Sequence, residues 1–272
     1  MRLAGGLLLL LLLLTIPDDG ALSASPAAAG GERCRRQCGG LDAVPYPFGF
    51  SGSCPIKLAC NESGSTAALI LPDNAAADTA AESYTVVASS FNRTASTFVV
   101  SLPPACNRTV AGARRRLSGA NYGVSSRTGM FLRGGCRNAT GANACSVPAE
   151  VMFQDAPHGA ALGVGMFARW DTVEEPRCDN LLTSAFYGET PEGVFALELA
   201  VAELGWWVNG SCKHSAAAAG DLSGRCAANA TCHDVQTPGG EWGHQCKCLP
   251  GFTGDGFAAG DGCNLSGESS TL

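Results

Sequence analysis

The sequence predicts a mainly β, disulfide-rich secreted protein in two parts, an N-terminal β-rich domain and a small C-terminal module. Three observations lead to this prediction. An apolar leader opens the chain, fourteen cysteines follow it, and short β-branched runs alternate with glycine, proline and polar turns. Because disulfides persist in oxidising compartments, an even cysteine count behind a leader favours complete pairing of the cysteines.

Residues 1–23 form the predicted signal peptide. Arg2 supplies the positive start, leucines 7–14 the apolar core, and residues 21–23 a cleavage point. A transmembrane helix is the alternative, but the run is well short of the roughly 20 apolar residues that span a bilayer. A flexible lead-in (24–33) follows, and the chain ends in a polar tail (264–272). We therefore expect no membrane insertion by the mature chain and a location in the extracellular space or cell wall, or at the plasma-membrane surface if the chain is a fragment of a longer receptor.

Seven Asn-x-Ser/Thr sequons behind a signal peptide predict a glycosylated exterior. They are Asn61, Asn92, Asn107, Asn138, Asn209, Asn229 and Asn264.

The residue pattern after the lead-in predicts strands and turns. Residues 84–88 and 97–101 are β-branched and aromatic runs, which predict a β-hairpin whose connection carries Asn92. Residues 166–170 predict a further strand. Residues 195–204 are rich in helix formers but alternate with period two, so we interpret them as strand, with a helix as the alternative.

The net charge of −6 conceals an uneven distribution. Residues 31–145 contain 12 Arg plus Lys against 6 Asp plus Glu, a net of +6, whereas residues 146–272 contain 5 against 16, a net of −11. The N-terminal part is therefore a candidate for binding an acidic ligand. Scattered solvated arginines are the alternative explanation.

The last six cysteines identify the C-terminal module (212–263). Their spacing is Cys212-x13-Cys226-x5-Cys232-x13-Cys246-x-Cys248-x14-Cys263, and it resembles that of an epidermal-growth-factor-like (EGF-like) module. The glycine-aromatic turn after Cys248 adds to the resemblance. The family pattern implies the pairs Cys212–Cys232, Cys226–Cys246 and Cys248–Cys263. So small a module needs such bonds to fold.

No metal or other cofactor is expected. Many modules of this kind bind calcium through acidic groups just before the first cysteine, but residues 205–211 contain none and Asp234 is isolated. His244, Cys246 and Cys248 are zinc ligands by type, but the cysteines fit the disulfide pattern of a secreted module.

The opening of the N-terminal part contains a second informative motif. Cys34-Arg-Arg-Gln-Cys38-Gly is followed by Tyr46-Pro-Phe-Gly and then by Cys54 and Cys60. This pattern resembles the galacturonan-binding domain of plant wall-associated receptor kinases over residues 34–145, with residues 146–208 as an associated β-rich region. The order of the two modules is also that of the family's ectodomains. The resemblance implies pectin, chiefly polygalacturonate, as ligand.

Polygalacturonate is a row of carboxylates, and arginine can meet each one with two parallel hydrogen bonds. We expect several weak contacts along the polymer rather than one strong contact. The candidate residues are Arg35, Arg36, Lys57, Arg114, Arg115 and Arg116.

Aromatic side chains in both parts have two interpretations. Tyr46, Phe48 and Phe50 stand among prolines and either fill the core beside the disulfides or offer flat faces to sugar rings. Trp206 and Trp207 either pack between the modules or form a lectin platform. Packing is the favoured interpretation in both cases.

Other functional classes receive less support. The chain contains none of the kinase motifs, no Gly-x-Ser-x-Gly and no His-Glu-x-x-His. Glu174 and Glu175 are neighbours that would point to opposite faces of a strand, so they are a poor glycosidase pair. We expect neither an enzyme nor a nucleic-acid-binding protein. The main alternative is a secreted adhesive or inhibitor protein that binds a protein partner through the EGF-like module.

Overall fold

The computed structural model describes residues 33–70, 84–135, 148, 150–152, 165–189, 195–213 and 222–266. The predicted signal peptide, the lead-in up to residue 32 and the Asn138 sequon lie outside these residues. The described chain is mainly β, as the sequence predicts. It contains the α-helices α1 (Val110–Leu117) and α2 (Trp170–Glu174).

The strands of the N-terminal part form three sheets within the described residues. They are β1 (Phe48–Gly49), β2 (Ile56–Asn61), β3 (Thr66–Leu69), β4 (Thr97–Ser101), β5 (Tyr122–Val124), β6 (Thr128–Arg133), β7 (Glu150–Met152), β8 (Asn180–Glu189), β9 (Phe195–Leu199) and β10 (Val201–Trp206). The sheet orders are β1-β2-β3, β4-β10-β5 and β7-β6-β8-β9. The β1–β2 pair is parallel, and the other strand pairs of these sheets are antiparallel.

The C-terminal module adds two small sheets. Its strands are β11 (Val208–Asn209), β12 (Ala230–Gln236), β13 (Trp242–Cys248), β14 (Phe252–Gly254) and β15 (Cys263–Leu265). The orders are β11-β13-β12 and β14-β15. The bonds Cys212–Cys232, Cys226–Cys246 and Cys248–Cys263 are all present, which is the pairing that the EGF-like resemblance implies. In the N-terminal part, Cys34 bonds Cys54 and Cys38 bonds Cys60.

One strand prediction is confirmed and a second is confirmed in part. Residues 195–204 are extended and form β9 and the start of β10, divided at Ala200, whose φ is +61°. The predicted hairpin is confirmed in part: residues 97–101 form β4, whereas residues 84–88 form no strand and lie antiparallel to β4 through one bridge, between Val86 and Val100, and two further backbone hydrogen bonds. Because β10 lies between β4 and β5, the region after residue 145 completes sheets that begin before it.

The predicted strand at 166–170 is wrong. Phe167 makes a single bridge to Ser125, and Trp170 begins α2. Helix α1 was not predicted at all. It begins after Thr109, whose side chain accepts a hydrogen bond from the N–H of Gly112 and so satisfies a donor of the first turn.

One hydrophobic core extends through both parts of the chain. Buried side chains of the N-terminal part, such as Phe48 and Phe98, belong to the same cluster as Trp206 of β10 and Phe257 of the C-terminal module. Among the described residues, no helix is long and apolar enough to cross a membrane.

Candidate glycan-binding surfaces

Arg35 and Lys57 lie on the two segments that flank β1. The carbonyl of Arg35 accepts from the N–H of Phe50, and Lys57 of β2 lies opposite Gly49. Lys57 is exposed between buried Ile56 and Leu58 because strand residues alternate between faces. It has no hydrogen-bond or ion-pair partner among the described residues. Both cations are therefore available at the surface.

Arg35 makes one exposed ion pair. Its Nη2 lies 2.8 Å from Oε1 of Glu62, and the two side chains are 56% and 65% exposed. A pair so open to water is worth about 0–1 kcal/mol. Arg35 can therefore exchange Glu62 for a ligand carboxylate at little cost.

Arg36 has a structural partner. Its Nη1 and Nη2 donate to the two carboxylate oxygens of Asp261 at 3.0 and 2.6 Å, and Asp255 lies 3.7 Å away. The hydrogen bond to Asp261 raises the pKa of Arg36, and the same bond lowers the pKa of Asp261. Arg36 thus fastens the N-terminal part to the C-terminal module.

The three arginines of α1 do not form one patch. Arg114 is exposed and its Nη1 donates to both carboxylate oxygens of Glu174 at 2.9 and 3.0 Å. Arg115 is exposed, whereas Arg116 is only 7% exposed. Since successive helix residues point about 100° apart, a run of three cannot present all its side chains to one ligand.

Further contacts hold the two parts together. The hydroxyl of Tyr46 donates to the carbonyl of Ser223 at 2.5 Å, and Nζ of Lys247 donates to the carbonyl of Thr94 at 2.8 Å. Burial lowers the pKa of Lys247.

The aromatic side chains considered as sugar platforms serve mainly in packing. Tyr46, Phe48, Trp206 and Trp207 are all at most 5% exposed, and Phe50 is partly buried. The ring of Tyr46 lies 5.4 Å from that of Phe257, between centroids. These residues are not available to a ligand as flat surfaces.

A cleft of about 730 Å³ opens where α1, α2 and the β12–β13 turn meet. Its lining includes Arg114, Phe167, Arg169 and Trp170 from the N-terminal part and residues 236–240 from the C-terminal module. Sequence analysis identified only Arg114 among these residues, because the cleft joins segments that are far apart in the chain.

The six sequons within the described residues all have exposed asparagines: Asn61, Asn92, Asn107, Asn209, Asn229 and Asn264. Each is therefore accessible to glycosylation.

A disulfide-stapled β domain fastened to an EGF-like module, with cations and a cleft at the surface, fits a receptor-like ectodomain. Comparison with known proteins supports this class. The chain is 30% identical to wall-associated receptor kinase-like 14 of Arabidopsis thaliana over 242 residues. It is 24% identical to wall-associated receptor kinase-like 21 of the same plant over 231 residues. These matches cover 82% and 80% of this chain.

The chain is homologous to the wall-associated receptor kinase-like proteins over about 80% of its length. The matches cover 30% and 32% of the two relatives, so the chain corresponds to about a third of each. No family model matches the sequence. No solved structure matches the chain.

Proposed function

We propose that the chain is an extracellular, cell-wall receptor-like ectodomain that binds pectin through the galacturonate carboxylates. The observation that carries the proposal is the pair of exposed cations beside β1, Arg35 and Lys57, in a chain homologous to wall-associated receptor kinase-like proteins. The excess of basic residues between 31 and 145 supports it.

We narrow the proposed binding residues by their exposure and partners. Arg35, Lys57 and Arg115 are exposed and are retained. Arg36 is held by Asp261 and Arg116 is buried. Arg114 is exposed, but it bonds both carboxylate oxygens of Glu174, whereas Arg35 bonds one oxygen of Glu62. A polymer that contacts a few exposed cations gains about 0–1 kcal/mol from each. Binding therefore depends on several contacts at once and weakens as salt screens them.

Retention on immobilised polygalacturonate tests the proposal. We expect the wild-type protein to bind at low salt and to elute as salt rises. The double variant Arg35→Ala/Lys57→Ala is expected to elute at lower salt. The matched control is Lys213→Ala/Arg225→Ala, which removes two exposed cations from the C-terminal module and is expected to elute like the wild type.

Two outcomes would contradict the proposal. Absence of retention at low salt would exclude pectin as a ligand. Equal shifts in the two double variants would mean that net charge, rather than the surface beside β1, governs retention.

A further inference from the structure

We propose that an N-linked glycan on Asn61 restricts access to Arg35 and so regulates the surface beside β1. This inference rests on the proposed pectin binding and adds a modification that limits it. An N-linked glycan is a bulky, solvated group. Attached at one end of the surface, it crowds Arg35 and leaves Lys57, at the other end, accessible.

Asn61 lies on the same face of β2 as Lys57. Lys57, Ala59 and Asn61 are exposed, whereas Ile56 and Leu58 between and before them are buried. Residues two apart in a strand project from the same face, and the four steps from Lys57 to Asn61 span roughly 13 Å. A glycan on Asn61 therefore projects from the face that presents Lys57, but at the far end of the strand.

The side chain of Arg35 extends to this far end of β2. Its Nη2 lies 2.8 Å from Oε1 of Glu62, the residue that follows Asn61. The disulfide between Cys38 and Cys60 joins the segment that carries Arg35 to the residue before Asn61. A glycan on Asn61 is therefore attached next to the carboxylate that Arg35 contacts, which is also where a ligand carboxylate would take its place.

The side chain of Asn61 is held in an orientation that suits a glycan. Its Oδ1 accepts hydrogen bonds from Oγ of Ser63 at 2.8 Å and from the N–H of Gly64 at 3.1 Å. Both bonds use the amide oxygen, and Nδ2, the atom that carries an N-linked glycan, takes no part in them. A glycan can therefore be attached while these bonds are kept.

The turn that follows Asn61 packs against the segment that carries Arg35. The N–H of Gly40 donates to Oγ of Ser65 at 2.9 Å. An added Cβ at Gly39 would lie 2.5 Å from the carbonyl oxygen of Glu62, which shows how closely the two backbones approach. Because the attachment point is held here, the glycan occupies solvent around Arg35 rather than around a distant part of the surface.

Substitutions at Ser63 test the proposal, because they change the sequon without changing Asn61. Ser63→Ala removes the Asn-x-Ser/Thr sequon, whereas Ser63→Thr retains it and is the matched control. The whole chain is secreted from plant cells, and peptide mass spectrometry measures the occupancy of Asn61. On immobilised polygalacturonate, we expect Ser63→Ala to elute at higher salt and to bind about two- to fivefold more tightly, the equivalent of one further exposed contact. Ser63→Thr should elute like the wild type.

Combination with the cation variants identifies the residue that the glycan crowds. In the Arg35→Ala background, Ser63→Ala should have no further effect, because the contact that it exposes is already lost. In the Lys57→Ala background, the gain should remain. Asn107→Gln removes an exposed sequon asparagine outside the β1-β2-β3 sheet and should elute like the wild type.

Several outcomes would overturn the role of the glycan while pectin binding stands. They are an unoccupied Asn61 in the secreted wild type, equal elution of Ser63→Ala and Ser63→Thr, an equal gain in Asn107→Gln, and a gain that persists in the Arg35→Ala background. Failure of all these proteins to bind at low salt would instead overturn the pectin proposal, and the role of the glycan with it.

Discussion

Arg35 and Arg36 are neighbours in sequence, yet their side chains have different roles. Arg35 makes one exposed pair with Glu62, 27 residues away. Arg36 forms two hydrogen bonds to Asp261, 225 residues away. From sequence alone both are equivalent candidates for a ligand carboxylate. The different roles of Arg35 and Arg36 could not be predicted, because the local sequence does not indicate a hydrogen-bond partner so distant along the chain.

We predict that Arg36→Ala lowers the free energy of unfolding by about 1–2 kcal/mol. The estimate lies toward the lower part of the range for charged hydrogen bonds because Asp261 is partly exposed. Arg35→Ala, the adjacent control, should change it by less than about 1 kcal/mol. Urea denaturation followed by tryptophan fluorescence measures both values. Equal losses in the two variants would contradict a fastening role for Arg36.

The Arg36–Asp261 pair also predicts a pH dependence. The hydrogen bond from Arg36 holds the pKa of Asp261 below its ordinary value of 3.8. A carboxylate with a lowered folded-state pKa stabilises the protein above its unfolded-state pKa, and this contribution is lost as pH falls through the folded-state pKa. The stability difference between wild type and Arg36→Ala should therefore be constant near neutral pH and shrink below 3.8.

Asp255 acts in the opposite direction and also lies 3.7 Å from Arg36. Burial raises the pKa of its carboxyl, so the penalty for burying the charged form is relieved as pH falls. Comparing the two proteins at each pH by urea denaturation removes the cost of burying Asp255, which they share, and leaves the contacts of Arg36 with Asp261 and Asp255. A difference that stays constant through the acid range would refute the role assigned to Asp261.

At the level of single elements, the sequence predicts strands better than short helices. Alternation of Leu197, Leu199 and Val201 correctly indicated the strands on either side of Ala200. Helix α1 had a usable signal in Thr109, a favoured capping residue followed by helix formers. Helix α2 had none. It has only five residues, and a helix so short depends on tertiary packing rather than on its own propensity.

Strand β13 carries a specific packing requirement at Gly243. An added Cβ would lie 2.5 Å from Cδ1 of Trp207 and 2.8 Å from its Cγ, closer than packed atoms allow. We predict that Gly243→Ala lowers the free energy of unfolding by about 1–3 kcal/mol through overpacking. Gly239→Ala is the control, because its new Cβ would meet no atom closer than 3.8 Å. Thermal unfolding with near-ultraviolet circular dichroism, which reports on Trp207, distinguishes the two; similar effects would contradict this account.

At the scale of the whole molecule, cysteine spacing predicted the C-terminal module but not how it is attached. The spacing sufficed because the module's fold is determined by its disulfides. The attachment depends on Tyr46, Arg36 and Trp206, whose partners lie in another part of the chain. Likewise, the boundary predicted at residue 145 was based on sequence motifs and charge. Strand β10 lies after this boundary, yet it pairs with β4 and β5, which lie before it. The two parts therefore share one core and should unfold together.

Phe257 is the residue that best tests this shared core. It belongs to the C-terminal module, is fully buried, and its ring contacts Tyr46 and Trp206 of the N-terminal part.

We predict a single calorimetric transition for the wild type. Phe257→Ala should lower stability by about 3–5 kcal/mol and divide the transition in two, because the module loses its main apolar contact while keeping its disulfides. Phe252→Ala removes the same group from partly exposed β14 and should retain one transition. Two transitions in the wild type would show that the parts fold independently despite their contacts.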